Sequence, residues 1–184
     1  MLFRPAVLLF VAFALAACGS LGPRPPIDPA FDAPYTLDGG DKLRVVVFGQ
    51  EGLTNSYAVD GSGRIFMPLI GAVDARGLTT QQVAANISHK LKNGFVREPH
   101  VAVEVETYRP FFILGEVTAA GQYAYVNNLT VETAVAIAGG FTARANRATF
   151  TIVRNIQGVP SSAAVPPYFT VRPGDTITVH ERWF

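Results

Sequence analysis

Apolar and polar positions change period several times along the chain, and each change predicts an element. In "DKLRVVVFG" the residues Leu43, Val45 and Val47 share one face, which predicts a strand. "YAVDGSGRIFMPLIG" predicts two short strands around an Asp-Gly-Ser-Gly turn, read as a hairpin, because glycine accepts positive φ. Pro68 then belongs at a strand end or edge, since it donates no ladder hydrogen bond. In "LTTQQVAANISHKLKNGF" the period lengthens. Val83, Ile87 and Leu91 form one apolar stripe, Thr79 and Gln82 have capping-box spacing, and Gly94 is placed to end the helix. "HVAVEVETY" returns to alternation, with Val101, Val103 and Val105 opposite Ala102, Glu104 and Glu106.

A second set of elements follows Tyr108-Arg109-Pro110. "FFILGEV" and "QYAYV" predict strands, and "LTVETAVAIAGG" predicts a short helix capped by Thr130 and stopped at Gly139-Gly140. "ATFTIVRN" alternates as a strand, and "FTVRPGDTITVHERWF" offers two more around Pro173-Gly174-Asp175. One helix across a small mixed sheet is a β-grasp-like arrangement, on which Trp183 and Phe184 are candidate apolar plugs. The fold class is therefore α+β, in two modules. An echo links "YTLDGGDKLRV" at 35–45 to "FTVRPGDTITV" at 169–179. Its simplest reading is a turn entering a strand in each case.

The beginning of the chain has neither period. After Arg4 comes the apolar run "PAVLLFVAFALAA", short for a transmembrane helix, which needs about 20 apolar residues, but suited to a signal peptide. It ends in "LAAC", with the chain's single cysteine, Cys18. A lone thiol makes neither an intramolecular disulfide nor a cysteine-based metal cluster, and His89, His100 and His180 are scattered. "LAAC" resembles the bacterial lipobox, in which the cut falls before the cysteine and the cysteine carries lipid. An ordinary secretory signal with a chance cysteine is the alternative. Gly19 after the cysteine favours the outer membrane within that resemblance. Residues 19–34 hold five prolines and no period, and read as an extended tether or as an arm packed on the domain.

Composition narrows the function. Removal of residues 1–17 leaves equal numbers of basic and acidic residues, which argues against a nucleic-acid binder. About 165 residues remain, enough for one or two small domains. No nucleophile elbow, phosphate loop or dinucleotide fingerprint occurs, and "DGSGR" lacks the spacing of a hydrolase serine. Glu104 and Glu106 form an acidic pair on one strand face and read as solvated rather than catalytic. Phe111, Phe112, Tyr123 and Tyr125 suit either pocket walls or a core. No catalytic group, metal site or cofactor is expected.

The ordered set "VDGSGRIFMPLIG", "GLT", "PHVAVEV", "GEVTAAGQY", "LTVETAVAIAGG" and "PGDTITVHERWF" resembles the outer-membrane polysaccharide export proteins. The resemblance implies a lipoprotein signal peptide at 1–17, a lipidated tether at 18–34, a polysaccharide export sequence domain at 35–107 and a soluble-ligand-binding β-grasp domain at 108–184. It further implies a lipid-anchored protein facing the periplasm at the outer membrane. Such proteins form ring-like homo-oligomers in a channel for capsular or exopolysaccharide, fed by an inner-membrane polysaccharide copolymerase. Some relatives continue into a C-terminal amphipathic helix that crosses the outer membrane. This sequence resembles the short type, for which a separate outer-membrane pore protein is expected. The alternative is a periplasmic lipoprotein receptor that binds a small soluble ligand through the β-grasp domain. Cys18 is the expected lipid site. Tyr108, Arg109 and Pro110 are candidates to set the angle between modules or to contact a neighbouring subunit, or form an ordinary interdomain turn.

Overall fold

The computed structural model describes Phe31 and residues 33–183. Cys18 and the apolar run before it lie outside the described residues, as does Phe184.

The first module is built on a three-stranded antiparallel sheet in the order β2-β1-β5, formed by β1 (Lys42–Val47), β2 (Asn55–Ala58) and β5 (Val101–Thr107). Helix α1 (Thr80–Lys92) covers it. Its N-terminus is closed by the expected capping box, in which Gln82 N donates to Thr79 Oγ1 and Thr79 N donates to Gln82 Oε1. Val83, Ile87 and Leu91 are fully buried against Leu43, Val45, Val47 and Val103. The helix ends where Phe95 and Val96 N–H groups return to the Leu91 carbonyl, with Gly94 at φ +99°.

Beside this sheet, β3 (Arg64–Met67) and β4 (Gly71–Asp74) form a separate two-stranded ribbon. The strands expected on either side of Asp60–Gly63 exist, but they are not partners. β2 pairs with β1, and β3 pairs with β4 around a turn at Pro68–Ile70. Asp60 instead organises a local turn, accepting from Ser62 N, Ser62 Oγ and Arg64 N. Pro68 follows directly on the end of β3, as its missing N–H requires.

The second module is a five-stranded mixed sheet in the order β7-β6-β10-β8-β9. Its strands are β6 (Phe111–Gly115), β7 (Gly121–Tyr123), β8 (Ala145–Ile156), β9 (Val159–Val165) and β10 (Thr176–Glu181). β10 runs parallel to β6 and antiparallel to β8. Helix α2 (Val131–Ile137), capped by Thr130, buries Val131, Ala134 and Val135 in a second core with Phe111, Ile113, Phe150, Ile152 and Ile177. β9 was not foreshadowed by its sequence, "VPSSAAV". Its Pro160 is tolerated because β9 is an edge strand. The expected strand at Phe169–Val171 is reduced to one bridge between Thr130 and Thr170. Trp183 is 92% exposed and plugs nothing. Of the residues read as tether, Phe31 is only 3% exposed and sits in the second core, although the first module lies between them in sequence.

Candidate functional site

Three polar residues are buried in the described chain: Asp41, Arg154 and Asp175. All belong to two arginine clasps that meet at the junction between the modules. Among the described residues no buried side-chain nitrogen or oxygen lacks a hydrogen-bond partner.

The first clasp closes across the junction. Asp41, fully buried, precedes β1 and accepts from the backbone N–H of Asp38 at 3.0 Å and of Arg109 at 2.9 Å. The Arg109 side chain donates to Asp41 Oδ2 at 3.1 Å and to the Tyr35 hydroxyl at 3.0 Å, and that hydroxyl donates to Asp41 Oδ2 at 2.6 Å. The guanidinium also lies over the Tyr35 ring, 5.4 Å from its centre. Burial, and then the hydrogen bond to the Asp41 carboxylate, push the Tyr35 phenol far above its ordinary range, so it stays a donor. Tyr108 packs edge-on between Tyr35 and Tyr125, at 5.4 and 5.3 Å, linking one module's ring to the other's. The Pro110 carbonyl accepts from Gly174 N.

The second clasp closes inside the second module. Arg154, on β8, binds Asp175 in a two-pronged pair at 2.9 and 2.6 Å and donates to the carbonyls of Phe31 and Thr170. Its guanidinium lies between the Phe31 and Phe169 rings, at 5.3 and 5.6 Å. The bond to its carbonyl and the burial of its ring in the second core together place Phe31 in the second module.

The echo in sequence is thus an echo in structure. Tyr35 and Phe169 each stand six residues before the buried aspartate, and each ring receives the clasping arginine. The residue three before each aspartate, Asp38 or Arg172, donates its backbone N–H to that carboxylate. Leu37 N bonds the Leu78 carbonyl just before the α1 cap, and Val171 N bonds the Leu129 carbonyl just before the α2 cap. Gly-Asp was visible in the sequence, but the burial of both carboxylates and the identity of their arginines were not.

Glycine makes room for these arginines. A Cβ on Gly174, at φ +84°, would stand 2.5 Å from Arg109 Nε, and one on Gly63, at φ +83°, 2.4 Å from Arg76 Cβ. Arg76 donates to Asp38 Oδ1 and to the Gly61 carbonyl, both at 2.8 Å. Burial alone would raise the Asp38 carboxyl, but the hydrogen bonds from Arg76 and Gly39 N, with the Arg109 and Arg76 charges, hold it below the usual carboxylate range.

Between the modules lies an open cleft of about 850 Å³, whose walls include Asp38, Arg76, Arg109, Arg154, Arg172 and the β8–β9 turn. The other candidates take structural places. Phe111 is buried, and Tyr123 and Tyr125 pack on the same core, whereas Phe112 faces the opposite side of the sheet and is 38% exposed. Glu104 and Glu106 are exposed, and Glu106 pairs with Lys42. His89 is exposed on α1. Among the described residues no group of acidic, histidine or cysteine side chains is placed to hold a metal ion, and no helix is long and apolar enough to cross a membrane.

Residues 29–106 match the polysaccharide biosynthesis/export proteins, and residues 110–163 match the SLBB domain. The chain is 36% identical over 118 residues to the exopolysaccharide production protein ExoF of Rhizobium meliloti (strain 1021), a stretch covering 58% of this chain and 28% of that protein. It is 27% identical over 112 residues to the polysialic acid transport protein KpsD of Escherichia coli, covering 60% of this chain and 20% of that one. The chain therefore spans less than a third of the length of these relatives.

Proposed function

Because the chain belongs to the polysaccharide export protein family, we propose that it is a periplasmic part of the channel through which capsular or exopolysaccharide leaves the cell, held at the outer membrane by lipid on Cys18. In this reading the chain serves transport, as the printed role of KpsD suggests, and carries no catalytic step of its own. The observation that carries the proposal is the succession of the two matched segments along one chain, each with its own core, joined through Arg109. A conduit needs rigid parts and an anchor rather than a reacting group, and the buried polar residues here brace the fold.

In this reading residues 1–17 are removed, the stretch from Cys18 to the buried Phe31 tethers the protein, and the modules run from 35 to 107 and from 108 to 184. Tyr108, Arg109 and Pro110 set the angle between them. The partners are the polysaccharide, an inner-membrane copolymerase and further copies of the chain in a ring.

Deletion of the gene tests the export role. Loss of surface polysaccharide, with material retained inside the cell and restored by the wild-type gene, is expected. Undiminished surface polysaccharide in the deletion strain would overturn it. Cys18→Ser should abolish labelling by an alkyne fatty acid, and equal labelling of variant and wild type would remove the lipid anchor from the proposal.

A further inference from the structure

We infer that the end of the first module farthest from the junction seats in the surface of an anionic phospholipid bilayer, with the β3–β4 turn as its inserting tip. The junction lies where β1 begins and β5 ends, at Asp41 and Arg109. The opposite end gathers three loops. Phe48, just past β1, donates its N–H to the carbonyl of His100, just before β5. Phe95 stands in the loop between α1 and β5. Lys90, in the last turn of α1, donates its ammonium to the Ala72 carbonyl on β4, which brings the β3–β4 turn to the same end. Phe66 is 63% exposed and Leu69 60%, and Phe48 and Phe95 are exposed as well.

The turn itself points to lipid. From Phe66 to Val73, "FMPLIGAV", no residue carries a charged or polar side chain. Met67 and Ile70 pack on the core, which leaves Phe66 and Leu69 facing outward. Ile70 N donates to the Pro68 carbonyl at 2.8 Å around Leu69, which has φ +67°. A bond of this span around a residue of positive φ makes the rare and strained kind of γ-turn. Glycine or asparagine would sit there more easily than leucine, and neither would leave an apolar side chain in water. The turn has one evident effect. Pro68 has no N–H, and that of Ile70 is taken up inside the turn, so few backbone donors at the tip must be stripped of water. A protein groove can offer partners to such donors, whereas hydrocarbon offers none.

The polar residues around the tip suit a headgroup layer. Lys92 and Arg97 flank Phe95, are exposed, and have no ion-pair partner among the described residues. With Lys90 they stand against two carboxylates in the same loops, Glu51 and Glu98. Their long apolar stems let the charged heads stay among anionic headgroups while the rings go deeper.

The test is quenching of tryptophan by brominated lipid, on the full chain reconstituted in phosphatidylcholine vesicles with and without phosphatidylglycerol. Trp183→Phe removes the chain's single tryptophan. Phe66→Trp then places a reporter at the tip, and Phe112→Trp places a control on the outer sheet face of the second module. Bromines about 5–10 Å below the headgroups should quench the tip reporter in the anionic vesicles and spare the control. Every vesicle carries bromine, so the result holds whether the tip meets its own vesicle or a neighbouring one, and whether or not Cys18 is lipidated. Lys92→Gln and Arg97→Gln should each lower the ratio of inserted to free tip by about fivefold. Leu69→Asn should lower it by at least about tenfold, with a urea midpoint equal to or above wild type, because asparagine tolerates positive φ. Equal quenching of the two reporters, no quenching at the tip in anionic vesicles, or insertion unchanged by both cation substitutions would each overturn the inference. So would a lowered urea midpoint for Leu69→Asn, which would mean that Leu69 serves the fold. A tip that lipid leaves unquenched but that cross-links to a protein in cells would assign this end to a protein partner and overturn it as well.

Discussion

Tyr35 shows how much one side chain carries at the junction. Its hydroxyl is at once the donor to a buried carboxylate and the acceptor for Arg109. Removing it by Tyr35→Phe should cost about 1.5–3 kcal/mol, the range for hydrogen bonds to charged groups. The cost should depend on pH. An unfolded tyrosine releases its proton near pH 10, whereas folded Tyr35 is shifted far upward and keeps it. The contribution is therefore complete below about pH 10 and declines as pH rises above it. Urea midpoints of wild type and Tyr35→Phe at pH 8 and pH 10.5 should lie closer together at the higher pH. An unchanged gap would mean that the phenol is not held protonated. Asp38 runs the other way. Its lowered carboxyl stabilises the fold above the ordinary carboxylate range, and that contribution is lost as pH falls through its folded value.

At the scale of elements, local pattern and non-local pairing part company. α1 was legible down to its cap because stripe, capping box and terminating glycine all lie within a few turns of one another. Leu91→Ala should cost about 2–5 kcal/mol, since Leu91 is fully buried, and Thr79→Ala about 1 kcal/mol as the loss of a cap. A denaturant midpoint for Leu91→Ala equal to wild type would contradict the packing. The strands flanking Asp60–Gly63 were legible too, but their partners were not. A glycine-rich turn predicts a reversal, and it cannot say that β2 finds β1 while β3 finds β4. β9 escaped notice because "VPSSAAV" is small and polar where an edge strand faces solvent, and its proline argues against a central strand. Phe111 and Phe112 are adjacent and look equivalent in sequence, yet the pleat sends one into the core and the other out. The arginine clasps were half visible. The repeated Gly-Asp could be read, but a carboxylate's burial depends on residues as far away as Arg109, 68 positions along the chain.

At the scale of the molecule, the two clasps share one design and differ in where they close. Arg154 is supplied by the module it braces, whereas Arg109 braces the first module from the start of the second. Arg154→Ala strands a carboxylate that is 1% exposed and should cost about 3–5 kcal/mol, chiefly in the second module. Arg109→Ala leaves Asp41 with the Tyr35 hydroxyl and two backbone donors, so about 1–3 kcal/mol is expected. It should also broaden the distribution of distances between spin labels on the two modules. A distribution as narrow as wild type would mean that other contacts fix the angle. Phe31 has a mechanical consequence as well. A leash running back from it to lipid on Cys18 would pull on the second module first, because Arg154 grips the Phe31 carbonyl there. Strain from the bilayer would reach the first module through residues 33–37 and across the junction through the Arg109 clasp. The roughly 13 residues of leash, at about 3.3–3.6 Å each, extend at most about 45 Å. With lipid on Cys18, as proposed above, the load would meet the later module first, at the buried Phe31 ring and the guanidinium that holds its carbonyl.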